Sequence, residues 1–260
     1  IIITGTSTGI GFALAEYFGK KGHSVFGLSR KNVLSAYFKT IPTDITDNLQ
    51  VQNAVSEILK TEKNIDVLIN NAGMGMVGAV EDSTQEEIIK LFNLNLVGSV
   101  QMMSAVLPSM RAQKLGKILN ISSIGSEMGL PFRGFYSASK SALDKVTEAI
   151  RYEVSPWNIE VCTLHLGDIK TKIAENRVKT KVSEPYQKTF EKIYSIMNAH
   201  VDDGTEPLEV AEYIDKLLTK KSWKAHYYFG KFGQKIGVPL KWILPQNFYE
   251  NLMRKYNQMD

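Results

Sequence analysis

Cysteine is nearly missing from this chain of 260 residues: Cys162 stands alone, so no internal disulfide can form and a reducing, cytoplasmic setting fits. It lies in the apolar run 159–166, where a buried, inert thiol is expected. Unbroken apolar runs of about 18 residues are missing too, so no segment is expected to span a bilayer. The opening Ile1-Ile2-Ile3-Thr4 is strand-like at once, with no signal-peptide pattern ahead of it. Charge of one sign is scarce. The 31 Lys and Arg against 27 Asp and Glu leave +4, thinly spread, and no nucleic-acid partner is expected. The 4 histidines show no metal-ligand spacing, so no metal is expected and His165 reads as a satisfied structural side chain. Tandem repeats and low-complexity linkers are also missing.

What is present is an alternation of strand and helix patterns. Residues 1–4, 24–28, 65–69, 117–121 and 159–166 read as strands, and the solid apolar run 65–69 suits a strand covered on both faces. Helical spacing marks 12–21, 48–60, 85–105 and 137–154, with Gly22 as a C-terminal stop and Pro108 near the end of the third helix's continuation. From residue 170 the pattern loosens. The stretch 170–195 is polar and lysine-rich, 207–218 reads as a helix and 224–230 as a last strand. Repeated strand–helix–strand units imply parallel strands with right-handed crossovers. The expectation is an α/β fold: one doubly wound, Rossmann-type domain over 1–260, with helices on both faces of a parallel sheet. Residues 170–260 then form a substrate cover and tail. Ligands in such sheets bind beyond the carboxyl ends of the strands.

One such end carries Thr4-Gly5-Thr6-Ser7-Thr8-Gly9-Ile10-Gly11, followed by a helix. Glycine permits a sharp turn and a close approach to phosphate, and a helix N-terminus offers free amides. The spacing is Gly-x-x-x-Gly-x-Gly, and an ordinary strand–helix turn is the alternative. The second strand ends at Leu28-Ser29-Arg30-Lys31, with no acid to hold an adenosine ribose. A hydroxyl followed by Arg30 and Lys31 could hold a 2′-phosphate instead, which favours NADP(H) over NAD(H); a solvated basic turn is the alternative.

Tyr136 and Lys140 are four residues apart on a helix and so share a face. A neighbouring ammonium lowers a phenol's pKa, and the phenol can then exchange a proton with a substrate oxygen. Ser123 follows a strand, 13 residues before Tyr136, where a hydroxyl could hydrogen-bond that oxygen as charge builds. Taken together, Thr4–Gly11, Asn70-Asn71-Ala72-Gly73, Asn95, Ser123, Tyr136 with Lys140, and Gly167–Thr171 resemble the classical short-chain dehydrogenase/reductase family over residues 1–171.

That resemblance implies an NAD(P)-dependent oxidoreductase that interconverts an alcohol and a carbonyl. Tyr136 would be the general acid/base, and Lys140 would lower its pKa and hold the nicotinamide ribose. Ser123 would orient the substrate oxygen, and Asn95 would keep a water in a proton relay. The cofactor set would be Gly5, Thr6, Ser7, Thr8, Gly9, Ile10, Gly11, Ser29, Arg30, Asp44, Ile45, Asn71, Ala72, Gly73, Tyr136, Lys140, Gly167, Ile169 and Thr171. Leu166 stands where the family usually has proline. The resemblance also implies a homo-oligomer through helices 85–105 and 137–154.

The C-terminal part is read more loosely. Tyr186, Phe190, Tyr194 and Met197 recur at near-helical spacing, as pocket lining or as a core stripe. The tail 237–256 alternates aromatics with lysines and resembles family members acting on steroids, retinoids or other lipophilic alcohols. Packing against the domain is its favoured role, with peripheral membrane contact as the alternative. The expected activity is therefore hydride transfer on a small, lipophilic carbonyl or alcohol. A nucleotide-binding sensor or scaffold with little turnover is the competing function.

Overall fold

The computed structural model describes residues 1–171 and 177–259. Seven parallel strands form one sheet: β1 (Ile2–Thr4), β2 (Phe26–Ser29), β3 (Lys39–Pro42), β4 (Val67–Asn70), β6 (Gly116–Ser123), β7 (Ile159–Leu166) and β9 (His226–Phe229). Their order is β3-β2-β1-β4-β6-β7-β9. A two-residue strand, β5 (Met76–Val77), pairs separately with β8 (Val178–Lys179). The chain leaves β1 toward β2 and β3, then returns to β4 and builds the other half. The reversal between β1 and β4 opens a crevice at the carboxyl edge.

The helices cover both faces. Helices α1 (Gly9–Lys20) and α7 (Pro207–Leu218) lie on one face, where Leu14, Phe18, Val210 and Ile214 pack with Ile3 and Ile69. On the other face, α2 (Asn48–Thr61) and α4 (Gly98–Gln113) bury Val51, Val55, Met102, Met103 and Val106 against Ile2, Leu68 and Ile118. Helices α3 (Gln85–Phe92), α5 (Gly134–Val154) and α6 (Glu184–Asp202) follow the sequence pattern, and α8 (Phe232–Ile243) and α9 (Gln246–Tyr256) make the tail. The doubly wound α/β fold is as the strand–helix alternation indicated.

Two local readings change. The helix read over 85–105 is not continuous: a π-helical turn, Asn93–Val97, joins α3 to α4, and Pro108 lies inside α4. A π turn inserts one extra residue and re-aims the side chain it carries, here Asn95. The strand β3 had no counterpart in the sequence reading. It is an edge strand with half-exposed residues, so it lacks an alternating signature. Of the lysine-rich stretch 170–195, residues 172–176 lie outside the described residues. The helical run Gln85–Gln113 is long and apolar enough by composition to cross a membrane. Yet its methionines Met102, Met103 and Met110 are fully buried in the protein.

Candidate active site

The glycine turn forms because its backbone needs glycine. Gly5 and Gly9 have φ of 75° and 60°, in the left-handed region. Gly11 cannot carry a side chain, since a Cβ there would stand 2.3 Å from the Gly5 carbonyl oxygen. Thr8 caps α1 in extended conformation with no side-chain hydrogen bond to the helix amides. The first turn of α1 therefore offers its amides to an anion, as a dinucleotide pyrophosphate requires. Asn71 locks this turn to the end of β4: its side-chain amide donates to the Thr4 carbonyl at 2.9 Å. Thr4 Oγ1 in turn accepts the backbone amides of Asn71 and Ala72, both at 2.9 Å. These residues fit a dinucleotide.

A cavity of about 550 Å³ runs along the carboxyl edge of the sheet. Thr8, Gly9, Ile10, Asn71 and Gly73 line its cofactor end. Ser123, Tyr136 and Lys140 line the middle, with Gly167, Ile169 and Thr171 beside them. Gly5, Thr6, Ser7, Gly11 and Ala72 stand behind this lining rather than in it. Ser29 ends β2 and Arg30 follows it, and Asp44 and Ile45 come after β3, all beyond the cavity but on the same edge. Ser29 Oγ donates to the Lys31 carbonyl at 2.7 Å, tightening the turn that leaves Arg30 exposed. Ile45 is buried against Gly98 of α4. Asp44 spends one carboxylate oxygen on the Thr46 amide and hydroxyl.

Asn95 is fully buried beneath the cavity. Its amide donates to the Met74 carbonyl and to Ser139 Oγ, both at 3.0 Å, while its Oδ1 accepts from the Met74 amide at 2.8 Å. The π turn aims it there, and it ties the segment after β4 to α5. Ser123 Oγ accepts from the Gly125 amide at 3.0 Å, which leaves its hydroxyl proton to donate.

Lys140 lines the same cavity as the Tyr136 phenol. Its Nζ donates to the Ile121 carbonyl at 2.9 Å. Burial lowers its own pKa to about 8, against a smaller upward pull from Asp144. Burial pushes the Tyr136 phenol up, opposed by Ser123 and by Arg133 and Arg177. The spacing of four residues correctly placed both groups in one cavity, but could not say which acceptor the ammonium would find.

Sequence reasoning also missed residues. Arg133, immediately before α5, and Arg177 both line the cavity beside Tyr136. Arg133 precedes Tyr136 by one helical turn, a spacing that could have flagged it. Arg177 carried no such signal. The tail supplies Tyr249, Leu252, Met253 and Tyr256 to the cavity wall, so packing against the body of the protein is part of its role. Phe190 and Met197 are mainly core, joined to Val77. His165 is buried as expected: Nδ1 meets Ser126 Oγ at 3.1 Å and Nε2 meets His226 Nδ1 at 3.0 Å. Burial lowers its pKa to about 4, so it is neutral at physiological pH. Cys162 is buried, and burial pushes its thiol up into the inert range.

A family model described as short chain dehydrogenase matches residues 1–182. The chain is a short-chain dehydrogenase. It is 38% identical over 260 residues to a 3-ketodihydrosphingosine reductase of Bacteroides thetaiotaomicron, covering 98% of this chain and 96% of the relative. Among solved structures, a short-chain dehydrogenase from Streptomyces avermitilis superposes with a TM-score of 0.84 at 26% identity, covering 98% of this chain and 96% of that one. ElxO with NADP bound superposes with a TM-score of 0.72 at 27% identity, covering 86% of this chain and 94% of its own. This short-chain dehydrogenase is thus an NAD(P)-dependent oxidoreductase of the Rossmann type, acting on a small molecule.

Proposed function

We propose that this short-chain dehydrogenase reduces a lipophilic ketone with NADP(H). The observation that carries the reading is the single cavity holding Ser123, Tyr136 and Lys140 between a dinucleotide turn and an apolar wall. When bound, the nicotinamide supplies the hydride. Ser123 holds the carbonyl oxygen and Tyr136 gives it a proton. Lys140 would hold the nicotinamide ribose and return a proton to the phenol, with Asn95 supporting a water in that relay. Gly5 to Gly11 would hold the pyrophosphate, Asn71, Ala72 and Gly73 the cofactor's middle, Gly167, Ile169 and Thr171 the carboxamide end, and Asp44 and Ile45 the adenine end. Ser29 and Arg30 would take the 2′-phosphate, which is the basis for preferring NADP(H). The whole chain works as one domain, with residues 170–260 as its substrate cover.

Met128, Leu130, Leu240 and Met253 line the substrate end, which suits an alkyl chain. The relative named a 3-ketodihydrosphingosine reductase supports a long-chain ketone as substrate class. The test is oxidation of NADPH and NADH, run in parallel, with methyl ketones of increasing chain length. Turnover should rise with chain length and favour NADPH. Equal rates for acetone and decyl methyl ketone would defeat the lipophilic reading.

A second reading concerns where the enzyme works, and the outward face of the tail favours it. Phe232, Trp242 and Ile243 of α8 are exposed by 75%, 76% and 75%. Lys231, Lys235 and Lys241 lie on and beside the same helix. Apolar side chains ringed by lysines match an anionic bilayer surface, and the cavity mouth is built from this same helix. The protein should co-sediment with vesicles rich in phosphatidylglycerol and far less with pure phosphatidylcholine. Trp242→Ser with Ile243→Ser should remove most of that binding. Undiminished sedimentation of the double variant would exclude this face. The homo-oligomer we also propose would use helices 85–105 and 137–154, where Val97 and Tyr152 are exposed.

A further inference from the structure

The substrate end of the cavity holds more positive charge than a neutral ketone calls for. Arg133 and Arg177 both line it, beside Tyr136. No carboxylate stands within 4.0 Å of either guanidinium among the described residues. Among the described residues, buried Arg133 Nε has no hydrogen-bond partner. Arg177 Nη1 donates to Asn198 Oδ1 at 2.8 Å. The nearest acid to influence both, Asp168, is held by the side-chain amide of Gln234. Both guanidiniums are partly buried in the cavity wall, where a charge without a counter-ion is one that a ligand can pair.

A guanidinium presents its N–H groups as a planar fork that matches an oxyanion with two parallel hydrogen bonds. Two such forks line the cavity together with the phenol that donates to the carbonyl oxygen, so a negative group would sit toward the reacting end. The rest of the wall is apolar, with Met128, Leu130, Leu240 and Met253 leading toward α8 and α9. We propose that Arg133 and Arg177 form an anion subsite, and that the substrate is an amphiphile whose sulfonate, phosphate or carboxylate head sits on it while the alkyl chain runs along the tail helices. This inference rests on the reductase reading and narrows it to a substrate class.

The experiment uses the full chain with NADPH and three probes of equal length: decyl methyl ketone, and the same ketone carrying a sulfonate or a trimethylammonium on its methyl carbon. The sulfonate should have the highest kcat/KM, about tenfold or more above the neutral ketone, and the cation the lowest. Arg133→Gln and Arg177→Gln should each collapse the sulfonate-to-ketone ratio by about 10–100-fold, mostly through KM, with NADPH affinity and melting temperature preserved. Arg133→Lys should recover part of the ratio, since it keeps charge without the fork. A wild-type ratio near one, or a ratio that neither glutamine variant moves, overturns the anion subsite. Titration of dodecyl sulfonate against dodecanol into the NADP-loaded chain reads the same preference without turnover. If no probe is reduced, the reductase reading fails; if the two amphiphiles bind equally, the anion subsite fails.

Discussion

Tyr136→Phe should lower kcat for ketone reduction by about 1,000-fold while leaving NADPH affinity within about twofold, because a positioned general acid contributes roughly 10²–10⁴-fold. The substitution keeps the ring and deletes only the O–H. Tyr136 sits in the first turn of α5, whose backbone is held in place by Ser139 Oγ donating to the Tyr136 carbonyl at 2.8 Å. Its ring therefore stays where it is, and the loss isolates the proton. Burial raises the phenol, so at neutral pH it holds the proton that reduction consumes. Lys140, lowered to about 8 by burial, is still an ammonium there. Raising the pH through about 8 strips that ammonium, and reduction should slow as the proton supply to Tyr136 fails. Steady-state rates with fluorescence titration of NADPH read both halves. A Tyr136→Phe rate within tenfold of the parent would remove the phenol from the mechanism.

Arg30→Ala should weaken NADPH binding by about 10–100-fold and leave NADH binding unchanged, the range expected when one charge-assisted hydrogen-bond pair is lost. Arg30 follows β2 directly, where Ser29 Oγ closes the turn on the Lys31 carbonyl at 2.7 Å. The turn has no acid that would repel a 2′-phosphate, and the side chain is exposed and able to reach it. The difference between the two cofactors is the decisive quantity. Equal loss for NADPH and NADH would mean that Arg30 supports the turn rather than the phosphate.

The sequence was most informative where local geometry forces residue choice. The glycine turn is one such place: left-handed φ at Gly5 and Gly9 and the contact of Gly11 with the Gly5 carbonyl leave little room for substitutes. The pairing of Tyr136 with Lys140 is another, since four residues on a helix reach one face. Features built by tertiary context stayed hidden. The π turn at Asn93–Val97 lies inside an unbroken apolar pattern, so nothing in composition marks the extra residue that aims Asn95. Lys140 chooses the Ile121 carbonyl because β6 ends beside it, a neighbour 19 positions away. Arg133 and Arg177 line one cavity although they are far apart along the chain. Strand β3 lies at the sheet edge, half exposed and without alternation.

The account stands on hydride delivery within the cavity that holds Tyr136. Its most direct test supplies NADPH deuterated at the transferable position, together with decyl methyl ketone, and analyses the alcohol by mass spectrometry. One deuterium on the carbinol carbon, with the rate of labelled alcohol formation falling about 1,000-fold in Tyr136→Phe, is the predicted result. An alcohol without the label, or no alcohol from any long-chain ketone while NADPH binds normally, would contradict it.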